Sequence, residues 1–279
     1  MLRETLDIIG DVPCLILIEA AWTRARTIDE FRTATRLPIT TIRNRLLELA
    51  DAGLLLPSLT GDLEAWKLTP AGMAFYPVAV VMLAWEVRWN EQSPAARVRL
   101  VHMPCGRTLT PRLEGSIAPH EPPTIGKRLS PRRRRSRDSV DAIRSYTVVH
   151  GSVRILGDRW ASLVLWTLRI GAIRFGEIRS ALSIASNILT ERLKWLEAIG
   201  LVSRKVTLPH SPYVLTEKGE DFLPVLDLVE AWGSAWLENG VARPNAPVMR
   251  REVLCDHCQI VVIAQDVSLV IPSRVVTFG

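Results

Sequence analysis

The sequence predicts a mainly α-helical fold with small β-hairpin wings (α+β), arranged as tandem winged helix-turn-helix domains. Two observations lead to this prediction: the chain matches itself at an offset of 147 residues, and each copy has the order helix, helix, helix, β-hairpin, helix. Of the 279 residues, 48% are hydrophobic and 23% are charged, so the chain can bury substantial cores. Its length fits two domains of ordinary size.

The internal repeat runs without a gap from Gly10 to Trp89, which match Gly157 to Trp236. Of the 80 aligned positions, 21 are identical. Two copies of such a long unit indicate a duplicated domain rather than a solenoid of short repeats. The repeat predicts a first, divergent winged-helix domain (1–91), a tail with a basic disordered linker (92–145), a second, clearer winged-helix domain (146–239) and a C-terminal tail (240–279).

The second copy shows the predicted elements most clearly. We expect one helix over VRILGDRWASLVLWTLRIGA and a short second helix over RFGEIRSAL. The third helix, SNILTERLKWLEAIG, has Leu189, Leu193 and Leu196 on one stripe and ends at Gly200. LVSRKVTL and YVLTEKG are predicted as two strands, and Pro224 opens the last helix. A hairpin after two short helices and a tight turn indicates a winged helix-turn-helix.

Four motifs of the second copy carry a family resemblance: GDRW (157–160), RFGEIRSAL (174–182), LTERLKWLEAIGLVSRKV (189–206) and YVLTEKG (213–219). Together they resemble the HxlR family of bacterial transcriptional regulators. The resemblance implies a winged-helix protein that binds double-stranded DNA and is normally a homodimer paired through terminal helices. The first copy matches by way of the repeat, but has Val12 and Pro13 where the second has Arg-Trp. Two fused HxlR-like domains would form an intrachain pseudo-dimer, and a homodimer through the terminal helices stays open.

The third helix and the wing of the second copy are predicted to contact DNA, because an α-helix fits the major groove and its N-terminal side chains reach base edges. The candidates are Ser186, Asn187, Thr190, Arg192 and Lys194 on the helix, and Arg204 and Lys205 on the wing. The Asn187 side chain can form two hydrogen bonds with an adenine base. Arg192 is predicted either to bind a phosphate or to tie its helix to the preceding one. The alternative is that these residues are only the solvated face of an amphipathic helix.

The first copy offers weaker candidates on the equivalent surface: Thr40, Thr41, Arg43, Asn44 and Arg45. Its wing carries Asp62 and Glu64, and acidic groups at a phosphate-facing tip are repulsive. This copy therefore reads a different sequence, binds weakly or acts only as a structural partner.

The basic excess of the chain lies between the two copies, where residues 92–145 carry 12 basic and 4 acidic side chains. Gly115 to Ser139 is rich in Pro, Ser and Arg, so we expect it to be disordered without a partner. Its arginine run is predicted to contact DNA phosphates without sequence preference, and the alternative is a solvated spacer. The run comprises Arg132, Arg133, Arg134 and Arg135.

Each copy is followed by half of a metal-binding pattern. His102 and Cys105 form an H-x-x-C after the first copy, and Cys255 and Cys258 form a C-x-x-C after the second. A set of three cysteines and one histidine suits structural zinc with tetrahedral coordination. The alternative is a decayed tail with leftover thiols.

Other classes of function find little support in the sequence. It has no hydrolase, metalloprotease, P-loop or dinucleotide-binding motif, so we expect no enzyme. The apolar run Val78 to Trp85 is too short to span a bilayer and the N-terminus is acidic, which favours a cytoplasmic protein without a membrane partner. The Trp pairs Trp85/Trp89 and Trp232/Trp236 are predicted to pack in a core or an interface, with a ligand pocket as the alternative. The alternative function is a winged-helix interaction or ligand-sensing protein that no longer reads DNA.

Overall fold

The structure, a computed structural model, describes residues 1–90, 98–115, 150–169, 171, 173–204, 211–243, 251–271 and 274–277. The first half contains α1 (Leu2–Ile9), α2 (Val12–Trp22), α3 (Ile28–Thr35), α4 (Ile39–Asp51), β1 (Leu55–Thr60), β2 (Leu63–Leu68), α5 (Pro70–Ala74) and α6 (Tyr76–Trp89). The first tail contains β3 (Arg99–His102), β4 (Arg107–Thr108) and β5 (Pro111–Glu114).

The second half and its tail complete the described chain. The second half contains α7 (His150–Leu156), α8 (Arg159–Leu168), α9 (Phe175–Leu182), α10 (Ser186–Ala198), β6 (Val202–Arg204), β7 (Tyr213–Leu215), α11 (Glu217–Glu220), α12 (Leu223–Trp236), β8 (Leu237–Glu238) and β9 (Val241–Ala242). The second tail contains β10 (Glu252–Cys255), β11 (Val267–Ile271) and β12 (Arg274–Thr277).

The two halves have the same elements at matching positions. At the offset of 147 residues, α3, α4 and α6 coincide residue for residue with α9, α10 and α12. Both α3 and α9 end at a left-handed residue, Arg36 (φ 53°) and Ser183 (φ 49°), which is the first of a three-residue turn into the next helix. Antiparallel pairs β1–β2 and β6–β7 follow. Each half thus contains helices, a tight turn and a hairpin in the order that the sequence predicts.

The prediction of one long first helix in the second copy is wrong. The structure divides that segment into α7 and α8 at Gly157 and Asp158. The Asp158 carboxylate accepts hydrogen bonds from the backbone N–H groups of Trp160 and Ala161, both at 3.1 Å, and so caps a new helix. Gly157 lies against Val12 of the other half, where an added Cβ would come within 2.5 Å of a Val12 methyl carbon. Apolar periodicity continues across the break, which explains why it was missed.

The halves pack against each other with reciprocal contacts between α6 and α12 and the residues around them. The indole N–H of Trp85 donates to the Lys218 carbonyl at 3.1 Å, and that of Trp232 donates to the Ala71 carbonyl at 2.9 Å. Because each residue has its equivalent 147 positions away, these bonds are of the kind that an isologous two-fold interface makes. Two edge-to-face ring contacts show the same reciprocity. The ring centres of Trp85 and Phe222 are 5.2 Å apart, and those of Trp232 and Phe75 are 5.3 Å apart.

The helices at this interface are strongly apolar. Both Trp85 and Trp232 are buried, as predicted for core or interface packing. Within the described residues, Pro70–Trp89 is the one segment long and apolar enough to cross a membrane by length and composition alone. Its most apolar stretch is 61% buried inside the protein, which is what a core helix shows.

The two tails pair with each other as well as within themselves. β3 of the first tail pairs antiparallel with β11 of the second, and β10 of the second pairs antiparallel with β5 of the first. His102 is the last residue of β3 and Cys255 the last of β10. The exchange therefore brings the end of a strand from each tail to one place.

Candidate functional site

The helix α10 presents a polar face to solvent and an apolar face to the core. Leu189, Leu193 and Leu196 are buried, as their spacing predicts. The exposed face carries Ser186, Asn187, Thr190 and Lys194. The Thr190 hydroxyl donates to the Ser186 carbonyl at 2.8 Å.

The first turn of α10 is open to a ligand from outside. No side chain caps it, since Ala185 occupies the N-cap position, and α4 begins in the same way at Pro38. Backbone N–H groups at such a helix start favour anions such as phosphate.

Arg192 and Arg45 point inward rather than toward the exposed face. Arg192 Nε lies 2.7 Å from an Asp158 carboxylate oxygen, and Arg45 Nη2 lies 3.0 Å from Asp11. The expected tie is present, but it runs to the start of α8 and not to the preceding helix α9. Burial opposes the charge of Arg45, yet the Asp11 carboxylate raises the pKa of its guanidinium. Arg45 therefore fixes α4 to the start of α2, and Arg192 fixes α10 to the start of α8.

Changing Asp158 to Ala is expected to lower the free energy of unfolding by about 1–3 kcal/mol, because the cap of α8 and the partner of Arg192 are lost together. Urea unfolding of the full chain measures this change. Asp62→Ala at the exposed tip of the first hairpin is the control, with an expected change within about 0.5 kcal/mol. Equal stabilities for the two variants would contradict the tie.

The wing of the second half contributes Arg204, which is exposed but already interacts with neighbouring side chains. Its guanidinium donates to Glu197 at 3.1 Å and lies over the Tyr213 ring at 5.2 Å from its centre. Lys205 lies outside the described residues, as do Arg132, Arg133, Arg134 and Arg135.

The equivalent surface of the first half is less basic and more apolar. Thr40 and Arg43 are exposed on α4 and Thr41 is half-buried. At the hairpin tip, Leu59 and Leu63 are 72% and 62% exposed beside the acidic Asp62 and Glu64. This hairpin offers acidic and apolar groups where the second offers Arg204.

Sequence reasoning missed Arg179. It is exposed at the last turn of α9, and its guanidinium donates to the Ser186 hydroxyl at 3.3 Å, which places it beside the start of α10. The repeat gave a signal that could have found it, because Arg32 is its equivalent in the first half and is also exposed.

The four metal-type residues of the two tails lie together. Their ligand atoms are all within 4.8 Å of one another. His102 Nδ1 lies 3.5 Å from the Cys105 sulfur and 3.2 Å from the Cys258 sulfur, and the sulfurs of Cys105 and Cys255 are 3.9 Å apart. Zinc bonds of about 2.3 Å to sulfur and about 2.0 Å to nitrogen place tetrahedral ligand atoms about 3.5–3.8 Å apart. The cluster could therefore hold a metal ion of this size.

Both halves of the cluster have the same local turn. The Gly106 N–H donates to the His102 carbonyl at 2.8 Å, and the Gln259 N–H donates to the Cys255 carbonyl at 2.8 Å. Gly106 (φ 67°) and Gln259 (φ 58°) are both left-handed directly after the second ligand of their pair. Each tight turn places its two ligand side chains close together. The strand pairing between the tails then brings the two ligand pairs into one cluster.

The surroundings of the cluster favour the thiolate of Cys255 but not that of Cys258, whose pKa is raised by burial and by the neighbouring thiols. Cys255 and His102 are fully buried, and the Nε2 of His102 has no hydrogen-bond partner. Burial alone would raise the pKa of the Cys255 thiol, but hydrogen bonds from the backbone N–H groups of Cys258 and His257 outweigh it and lower that pKa. Thiolate is the form that binds metal.

Comparison with known proteins identifies similar chains. The family model for HxlR-like helix-turn-helix proteins matches residues 155–241. The chain is 39% identical over 92 residues to the uncharacterized HTH-type transcriptional regulator YvaP of Bacillus subtilis, covering 31% of this chain and 84% of that protein. It is 40% identical over 91 residues to the HTH-type transcriptional regulator YodB of the same organism, covering 31% of this chain and 80% of that one.

A further relative comes from an archaeon. The chain is 40% identical over 92 residues to an uncharacterized HTH-type transcriptional regulator of Methanothermobacter thermautotrophicus, covering 32% of this chain and 70% of the relative. No solved structure gives a significant match.

Proposed function

Because the chain belongs to the HxlR-like helix-turn-helix family, we propose that it is a transcriptional regulator in which two winged-helix domains form an intrachain pseudo-dimer on double-stranded DNA. Its site of action is the cytoplasm, where the DNA is. The proposed domains are 1–91 and 146–239, joined by 92–145 and followed by the tail 240–279.

The reciprocal packing of the two halves is the observation that carries this proposal. In a symmetric homodimer, each interface contact occurs twice, once from each subunit. Here the two equivalent contacts, made by Trp85 and by Trp232, both occur within one chain. The close backbone pairing of Asp11 with Asp158, its equivalent in the repeat, is what a contact on a pseudo-two-fold axis gives. A second copy of the chain is therefore not needed to present two recognition helices.

In the second domain, the exposed start of α10 supports reading of bases in the major groove. Asn187 has the amide that pairs with adenine, and Ser186 and Thr190 flank it on the same face. Arg179, Lys194, Arg204 and Lys205 would contact phosphates. Arg192 acts through its tie to Asp158 and orients the helix.

In the first domain, the acidic hairpin tip favours a smaller share of the DNA contacts. Thr40, Thr41 and Arg43 are placed to meet a groove, while Asp62 and Glu64 would face phosphates with like charge. The exposed Leu59 and Leu63 favour the second candidate function, in which this domain binds a protein or a ligand instead of DNA.

We further propose that His102, Cys105, Cys255 and Cys258 hold one structural zinc ion. Three thiols and an imidazole at tetrahedral spacing support this choice of metal. Zinc here would bind both tails at once and so lock the two domains at one separation. Metal binding would then contribute directly to the stability of the joined tails.

The arginine run should add affinity but no specificity. If Arg132, Arg133, Arg134 and Arg135 all contact phosphates, changing them to Ser should lower the log–log salt slope by about 3.6, at about 0.9 per contact. Fluorescence anisotropy at several salt concentrations gives the slope, and a scrambled duplex shows whether sequence preference is kept. An unchanged slope would make the run a spacer.

Capture of genomic DNA tests the proposal as a whole. The full chain, incubated with sheared genomic DNA in excess competitor, should enrich a small set of fragments over input, and a labelled duplex from them should bind more tightly than its shuffled version. Enrichment of no fragments, or equal affinity for both duplexes, would contradict sequence-specific regulation.

A further inference from the structure

An apolar cavity lies between the first domain and the joined tails. It has a volume of about 70 Å³ and is partly open to solvent. The walls come from α2 and α6, from Val153 of α7, and from Leu100 and Leu269 on the paired strands β3 and β11. The cavity therefore touches both halves of the repeat and the tails.

One ionisable acid, Glu19, lines this otherwise apolar cavity. Its neighbours there include the rings of Trp22, Phe75 and Tyr76. Burial raises the pKa of Glu19 to about 7, and no neighbouring cation offsets that effect. Among the described residues, no ion pair involves Glu19. A carboxylate in such surroundings is costly unless a cation pairs with it.

The second half of the repeat has larger side chains at two of the equivalent positions. Trp166 stands where the first half has Glu19, and Leu226 stands where it has Ala79. Trp166 is buried there, and its ring is covered by the Arg169 guanidinium at 5.0 Å. The Asp227 carboxylate of this half is paired with Arg169 and with Arg251. The Glu19 carboxylate in its apolar cavity therefore has no acidic counterpart at the matching position of the second half.

We propose that this cavity binds a small hydrophobic amine, with its ammonium group on Glu19 and its apolar part against Trp22 and Tyr76. Ligand sites are commonly apolar pockets with a few polar groups that fix orientation, and here the polar group calls for a positive charge. Aromatic faces add attraction for a cation. A neutral or anionic ligand of the same shape would leave the carboxylate unpaired.

Occupancy would stabilise the packed arrangement of domain and tails. A ligand that binds only the folded state raises its stability with the logarithm of one plus the ratio of ligand concentration to Kd. Since the cavity walls come from α2, α6, α7 and the tail strands, the melting temperature of the full chain reports on binding directly.

The probes are butylamine and benzylamine, with butanol and benzyl alcohol as matched neutral compounds. Thermal shift and calorimetric titration of the full chain should show binding of at least one amine and weaker binding of its alcohol. Glu19→Gln should weaken amine binding by about tenfold or more, because a charge-assisted bond is lost. Ala79→Leu, which introduces the second-half residue, should abolish it. Glu230→Gln, which changes a half-buried acid outside the cavity, is the matched control and should leave binding unchanged.

Three outcomes would overturn the proposal: neither amine binds, the alcohols bind as tightly as the amines, or Glu19→Gln binds amines as the unaltered chain does. Melting curves without ligand show that each variant is folded. Because DNA is absent from these experiments, their failure leaves the proposed regulatory function standing, and failure of DNA binding leaves this site standing.

Discussion

Protein purified without a nickel column should contain about one zinc ion per chain, and the double variant Cys255→Ser/Cys258→Ser should contain none. The double variant His102→Ala/Cys105→Ser, which alters only the other tail, should lose the metal as completely. The reason is geometric: each tail supplies two ligand atoms, and neither pair alone completes a tetrahedron. Elemental analysis of the purified full chain measures the ratio.

Cys14→Ala is the matched control for these variants. Cys14 is a buried cysteine outside the cluster, and the second half of the repeat already has Ala161 at its position. It should keep full zinc content. Removal of zinc by a chelator should speed hydrogen exchange in β3 and β10 before it affects α6 and α12, because the metal holds only the tails directly. Metal-free protein with four titratable thiols would contradict the shared site.

Asn187→Ala should weaken binding to the specific duplex by about 1–3 kcal/mol, roughly a 5- to 150-fold rise in Kd, and relax preference at one base pair. The amide stands exposed on the first turn of α10, next to a helix start that no side chain caps. Anisotropy titrations with the specific duplex and with single-base variants of it give both numbers.

Arg43→Ala is the comparison within the same chain, because Arg43 occupies the first-half equivalent of Thr190 on α4. Arg43→Ala should weaken binding to the specific duplex less than Asn187→Ala does. The acidic hairpin of the first domain keeps that domain from a close approach to phosphates. A larger loss from Arg43→Ala than from Asn187→Ala on the same duplex would reverse the ranking of the two domains.

The repeat made most of the fold predictable. Helix periods and turn residues are local properties, and the spacing of Leu189, Leu193 and Leu196 predicted the buried face of α10 correctly. The break at Gly157 was not predictable from periodicity, because the apolar spacing continues across it and the new helix is set by the Asp158 cap. The same holds for Arg192: its spacing fits the exposed face or an internal tie, and only the position of Asp158 decides between them.

The candidate sites divide in the same way. His102, Cys105, Cys255 and Cys258 could be grouped from the sequence because their spacing is a property of local turns. The exchange of strands between the tails, which assembles the cluster, depends on long-range pairing that no local pattern encodes. Glu19 gave no signal in a strongly apolar helix, and its importance appears only when Trp166 is found in the equivalent place.

Selection of binding sites from random double-stranded DNA by the full, zinc-loaded chain tests the intrachain pseudo-dimer most directly. Two different recognition helices in one chain predict an asymmetric motif, with a strong half-site for α10 and a weaker, different one about one helical turn away. Asn187→Ala should reduce base preference in the strong half-site and leave the weaker half-site unchanged. A clean palindrome would contradict the account, because it would mean that α10 pairs with α10 of another chain. Failure to enrich any sequence would contradict DNA reading itself.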